Sequence, residues 1–290
     1  MNQRYKLWRL SLLLAGCLAV VPVWAAVEVA VSILPEKYFV EQIGAEHVSV
    51  IVLVGPGQSP ATFDPSPRQM SRLAGARLYF RIGVDFEDAW LARIEAVAPG
   101  MAVIDLRGGI TLRQMDRSPG ADGPGGGMKD PHVWTNPLLV KRMAATIRDA
   151  LIQIDPDHAA DYRANHARFA AELDALDKDI RTLLAPFKGH HFMVFHPAWD
   201  YFADRYGLRQ TPIEFEGKTP GARTLNQLIE QARAEGVRVI FVQSQFSRRI
   251  AETVAQAIGA RVVAVDPLAE DYSANLRRVA QAFAQAMAAP

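Results

Sequence analysis

From Asp155 to Pro186 a single apolar stripe runs without interruption. Tyr162, His166, Phe169, Leu173, Leu176, Ile180 and Leu183 recur at spacings that alternate between four and three, the period of one helix face. Asp155-Pro156-Asp157 supplies the capping and first-turn chemistry ahead of it. A helix over 158–186 is about 40 Å long at 1.5 Å per residue, longer than one lobe is wide. It therefore reads as a rigid rod spanning two lobes. His166 lies within the stripe and reads as a packing residue, not a ligand.

The sequence on both sides of this rod alternates β and α. Before it, strands are expected over 27–34, 48–54, 78–82 and 101–106. Helices are expected over 35–43, 67–74, 86–96 (with Trp90 facing inward) and 137–154. After it, strands are expected over 192–195, 209–215, 237–242 and 261–265, and helices over 197–206, 224–234, 250–258 and 272–287. Val- and Ile-rich strands separated by helices define an α/β chain with two parallel sheets flanked by helices. The expected division is a leader over 1–25, a first βα lobe over 26–154, a linking helix over 155–187 and a second βα lobe over 188–290, with a cleft between the lobes.

The leader reads as an export signal. Arg4, Lys6 and Arg9 are followed by an apolar run, and Val23-Trp24-Ala25 offers a small-residue cleavage pattern. The only cysteine, Cys17, lies in this segment within Leu14-Ala15-Gly16-Cys17. That pattern also fits a lipoprotein box, so a lipid anchor on Cys17 is the alternative to soluble, periplasmic export. Either route places the protein outside the cytoplasm and leaves the remaining chain without a thiolate metal ligand. Lys plus Arg is 32 and Asp plus Glu is 31, a balance that argues against nucleic acid or another polyionic partner.

In open parallel sheets, ligands bind beyond the carboxyl ends of the strands. That rule selects His132, in the loop after 101–106; His196, directly after 192–195; and Asp266, directly after 261–265. Ala61 occupies the corresponding loop after 48–54. His132 is further constrained by Pro131 and by the helix start at Thr135-Asn136-Pro137. Two imidazoles and a carboxylate suit a borderline divalent cation, zinc above all. Taken singly, each has a plainer reading: His132 as a packed loop residue, His196-Pro197 as a helix cap and Asp266-Pro267 as a strand-end turn.

The motifs are Gly57-Gln58-Ser59-Pro60 with Phe63-Asp64-Pro65-Ser66-Pro67, Asp130-Pro131-His132-Val133-Trp134, Phe195-His196-Pro197-Ala198-Trp199, Glu216-Gly217-Lys218, Gln245-Phe246-Ser247 and Asp266-Pro267-Leu268. With these, the chain resembles the zinc/manganese-type solute-binding proteins of bacterial ABC importers over nearly all of its length beyond the leader. The resemblance implies two lobes joined by one helix, capture of Zn²⁺, Mn²⁺ or Fe²⁺ as cargo, and delivery to a membrane permease and its ATPase. It also implies ligands at His132, His196 and Asp266.

One departure stands out: the family's first histidine ligand is replaced by Ala61. A water, or a substitute among Glu214, Glu216, Gln58 and Gln245, would then complete the site. An open three-ligand site is also compatible with a metal-dependent hydrolase or oxygenase, and the two-lobed architecture with a receptor for a chelated metal or organic ligand. The receptor for a bare metal ion, not an enzyme, is the leading expectation.

Overall fold

The computed structural model describes residues 26–115, 129–214 and 220–288. The leader with Cys17, the glycine-rich insert around Gly120 and Gly127, and the segment carrying Glu216, Gly217 and Lys218 lie outside the described residues.

Short runs of β-branched residues form the centre of each lobe. In the first, β1 (Val27–Val31), β2 (Val48–Val52), β3 (Leu78–Arg81) and β4 (Ala102–Asp105) make a parallel sheet in the order β2-β1-β3-β4. Val29 pairs with Val50 on one side and Leu78 on the other. The second sheet repeats the design with β5 (His191–Val194), β6 (Arg209–Pro212), β7 (Val239–Val242) and β8 (Arg261–Ala264), in the order β6-β5-β7-β8. Every ladder is parallel, so the carboxyl ends of the strands within each sheet gather on one edge.

The helices are α1 (Leu34–Gly44), α2 (Pro67–Leu73), α3 (Asp85–Val97), α4 (Pro137–Ile154), α5 (Ala159–Leu184), α6 (Asp200–Tyr206), α7 (Ala222–Ala234), α8 (Arg248–Ile258) and α9 (Tyr272–Ala288). Helix α5 is the expected rod, 26 residues long and about 39 Å from end to end. It packs against α1, α4 and α9. One apolar core runs through both lobes. Phe39 of α1 meets Tyr272 of α9 edge-on at 4.9 Å, while Phe283, three turns further along α9, stacks on Phe241 of the second sheet at 3.9 Å. Helices α5 and α9 thus belong to both halves. A second apolar cluster, built on Met193, Ile240, Leu228 and Val254, seals the opposite face of the second sheet with α7 and α8.

The elements differ in detail from expectation. Strand β1 ends at Val31 because the Glu36 carboxylate accepts the N–H groups of Ser32 and Ile33 and turns the chain into α1. Helix α6 begins at Asp200, not at Pro197, because residues 196–198 form a tight turn with Ala198 N–H donating to His196 O at 2.8 Å. Leu183 is exposed, and Leu184 takes its place in the core. The last turns keep the four-residue step from Leu176 through Ile180, so the stripe closes one residue later. Trp90 is half-exposed instead of inward. Its indole N–H donates to Asp64 at 3.0 Å, and Arg93 lies 4.8 Å from its ring. His166 packs between α5 and α4, with Nδ1 3.2 Å from Arg148. Burial, then the neighbouring guanidinium, holds its pKa below the ordinary value.

Candidate metal centre

The loop carrying His132 is fixed before its side chain is considered. Asn136 caps α4 by accepting the Leu138 N–H at 3.0 Å, and Pro137 fills the first helical position. Upstream, the Asp130 carboxylate accepts the His132 backbone N–H at 2.9 Å and also lies 2.6 Å from His132 Nδ1. Tyr201 of α6 donates to Asp130 O at 3.0 Å, and Tyr272 of α9 donates to Trp134 O at 2.8 Å. His132 precedes the linking helix in the chain, yet its loop is bonded to elements that follow that helix.

His196 is held in a parallel way. The Gln243 side chain, beyond the end of β7, donates to His196 O at 2.8 Å and accepts its N–H at 3.3 Å. Pairing between β5 and β6 continues past the strands, with Glu214 N–H donating to Phe195 O. This brings the buried Glu214 carboxylate 2.5 Å from His196 Nδ1. Phe246 stacks on the other face of the imidazole, with ring centroids 5.2 Å apart at 23°.

These two carboxylates decide the chemistry of the pair. A carboxylate accepts hydrogen bonds, so in the neutral imidazole each Nδ1 carries the proton and each Nε2 is left as an acceptor. The two Nε2 atoms stand 3.3 Å apart. Two acceptor nitrogens at that distance repel one another unless a proton or a metal ion lies between them. Nitrogens about 2.0–2.1 Å from one tetrahedral zinc are about 3.3–3.4 Å apart, a spacing that the two Nε2 atoms match.

The pair opens into a cleft of about 590 Å³. Its first-lobe wall is formed by Ser59, Pro60, Ala61, Thr62, Val84 and Asp85. Asp266 does not line this cleft. Its Oδ1 accepts the Leu268 N–H at 2.9 Å and the Gln245 amide at 3.3 Å, and it borders an adjoining hollow of about 260 Å³. Gln245 and Leu268 border both spaces and so form the partition between them. Among the described residues no three His, Cys, Asp or Glu side chains already converge as a metal site.

The structure therefore brings His132 and His196 together and places Asp266 beyond Gln245. Of the substitutes considered for the ligand missing at Ala61, Glu214 is engaged behind His196. Gln58 is exposed and accepts the Gly55 N–H at 2.8 Å. Gln245 faces the cleft, and Glu216 lies outside the described residues. Sequence reasoning missed the orienting roles of Asp130 and Glu214 and the presence of Asp85 in the cleft. For Asp130 a signal existed, since an aspartate two residues before a histidine can bond to its backbone and ring together. Glu214 and Asp85 reach the site through pairing and packing across the chain.

A pair of carboxylate-oriented imidazoles at the carboxyl ends of two parallel sheets is the architecture of a two-lobed metal receptor. The comparisons agree. The family model described as "ZnuA: Zinc-uptake complex component A periplasmic" matches residues 29–286, and the chain belongs to that family. The high-affinity zinc uptake system protein ZnuA of Bacillus subtilis is 28% identical over 243 residues, covering 81% of this chain and 76% of that protein. A crystal structure of ZnuA superposes with a TM-score of 0.84 at 42% identity, covering 90% of this chain and 99% of that one. A ZnuA deletion mutant with zinc bound superposes equally well, at 43% identity over 91% of this chain and 99% of that one. The family is one of metal-binding solute receptors for ABC importers. It favours the receptor reading and leaves the hydrolase and oxygenase readings without support.

Proposed function

We propose that this chain captures zinc outside the cytoplasm between His132 Nε2 and His196 Nε2 and hands it to the permease and ATPase of an ABC importer. The observation that carries the reading is the 3.3 Å separation of two imidazole nitrogens whose Nδ1 atoms are both engaged by carboxylates. Asp266 is the third ligand, released toward the pair when its bond to Gln245 gives way. Zinc and manganese both occur as cargo in the family, and the tetrahedral spacing favours zinc. The family supports a receptor rather than a catalyst, and Asp130 and Glu214, each engaged at a ring Nδ1, serve as orienting groups.

The test is elemental analysis of protein prepared without chelators, together with melting temperature as a function of added Zn²⁺ or Mn²⁺. One zinc per chain and a zinc-dependent rise in melting temperature are expected. Both should be abolished by His132→Ala and by His196→Ala. Sustained hydrolysis of a substrate, lost in His196→Ala, would overturn the receptor assignment.

A further inference from the structure

The cleft is far larger than a naked ion needs. Its volume of about 590 Å³ falls within the range of small-molecule sites, roughly 300–1,000 Å³. Its lining is also that of an organic-ligand site. Trp134 and Phe246 stand beside the two imidazoles, Met115, Val84, Pro131 and Leu268 add apolar surface, and Ser59, Thr62 and Asp85 supply polar groups to the first-lobe wall. Ala61 lines the cleft on that same wall, and its methyl group takes up little of the space.

We infer that the cargo is zinc already bound to a small carboxylate-bearing chelator, of the amino-acid or hydroxy-acid class, and that the chelator occupies the space beside Ala61. The inference rests on the proposed capture of zinc by His132 and His196 and deepens it. Two imidazoles, with Asp266 as a third protein ligand, leave at least one position of a tetrahedral ion open toward Ala61. A donor of the chelator fills that position. Its carboxylate stays on the zinc, its remaining hydroxyl or amine groups meet Ser59, Thr62 and Asp85, and its carbon skeleton packs on Phe246 and Leu268. No covalent bond is made or broken; the complex transfers by exchange of zinc-bound water or chelator donors for the two Nε2 atoms. Binding the chelate also costs the protein less than stripping zinc from it, because part of the coordination shell is kept.

The experiment is native mass spectrometry on the metal-stripped full chain. It is supplied with zinc chloride alone, or with zinc and increasing L-histidine or citrate, in parallel with Ala61→His. A receptor for the chelate retains a mass of zinc plus one chelator, and its zinc occupancy holds or rises as chelator is added. Its apparent affinity for zinc is at least tenfold greater with the chelator present than a competition calculation for a bare-ion site allows. Ala61→His should reverse this, retaining zinc alone and losing it to excess chelator. If the parent chain retains zinc without chelator mass and surrenders it as chelator rises, the inference is overturned while zinc capture stands. If the parent chain binds zinc under none of these conditions, the capture reading itself falls, and the inference with it.

Discussion

The indole Nε1 of Trp134 donates to the carbonyl oxygen of Pro267 at 2.8 Å, joining the loop that carries His132 to the loop that carries Asp266. This bond crosses between segments on opposite sides of α5. With Tyr272 on Trp134 O and Tyr201 on Asp130 O, it locks the His132 loop to the second half of the molecule. The continuous core through α5 and α9 adds to that lock. Wide separation of the lobes would break all three bonds and open the core, so only small lobe movements are compatible with these contacts.

Trp134→Phe keeps the ring and removes the N–H, leaving Pro267 O without its donor. A loss of roughly 1–2 kcal/mol in unfolding free energy is expected for such a buried bond. A severalfold drop in zinc affinity should accompany it, because the His132 loop is released from its partner. Urea denaturation and competitive zinc titration measure the two effects. Unchanged affinity would mean that α4 alone holds the His132 loop.

Glu214→Gln replaces a carboxylate that lies 2.5 Å from His196 Nδ1 with a neutral amide that orients the ring less firmly and lowers the basicity of Nε2. Removing such an orienting carboxylate typically costs 10–100-fold in metal affinity, and that range is expected here. Asp130→Asn should behave similarly through His132. If Glu214 were instead a direct ligand, shortening it in Glu214→Asp would shift the metal coordination spectrum of a cobalt-substituted protein, whereas an orienting role predicts the parent spectrum at reduced affinity.

Glu36 is fully buried at the start of α1, and burial, reinforced by Glu87, raises its pKa well above the ordinary 4.5. A carboxyl with a raised folded pKa stabilises the fold fully below its unfolded value, and that contribution is lost as pH rises toward the folded value. Glu36→Gln, neutral at every pH, should therefore gain stability relative to the parent as pH climbs above about 4.5. Chemical denaturation across pH 4 to 8 gives the difference directly. A constant difference across that window would show that Glu36 titrates alike in the folded and unfolded chains.

Phe283 contacts Phe192, Trp199, Phe202 and Phe241 from its place on α9. Phe283→Ala should cost about 3–5 kcal/mol, the usual penalty for emptying a large aromatic site in a core. Because α9 also carries Tyr272, which bonds Trp134 O, the same variant should weaken zinc binding measurably, although residue 283 is remote from the cleft. Destabilisation with full retention of affinity would limit the role of α9 to packing.

How far each feature was legible depended on the range of the interactions that fix it. The stripe through Tyr162, Phe169, Leu173, Leu176 and Ile180 announced α5, because helical periodicity is a local property of the chain. The stripe's end was misread at Leu183 because one residue of offset is decided by what the last turn packs against. Trp90 was misread as inward because an aromatic on a helix looks like core until its neighbours are known. Here Asp64 and Arg93 draw it to the surface.

His132, His196 and Asp266 were legible as residues at strand ends, since strand succession and the parallel rule follow from sequence order. The sequence by itself determined the two βα halves, the rod between them and the chemical types available at their edges, because period, capping and strand composition act over a few residues. Tertiary structure alone decided that the two histidine nitrogens meet at 3.3 Å while Asp266 is bonded to Gln245 and faces the adjoining hollow. It also made Glu214 an orienting group, and it gave Ala61 a place beside open space. Those outcomes depend on the pairing of β5 with β6 and on the packing of α4, α6 and α9, contacts between residues far apart in the chain that no local pattern encodes.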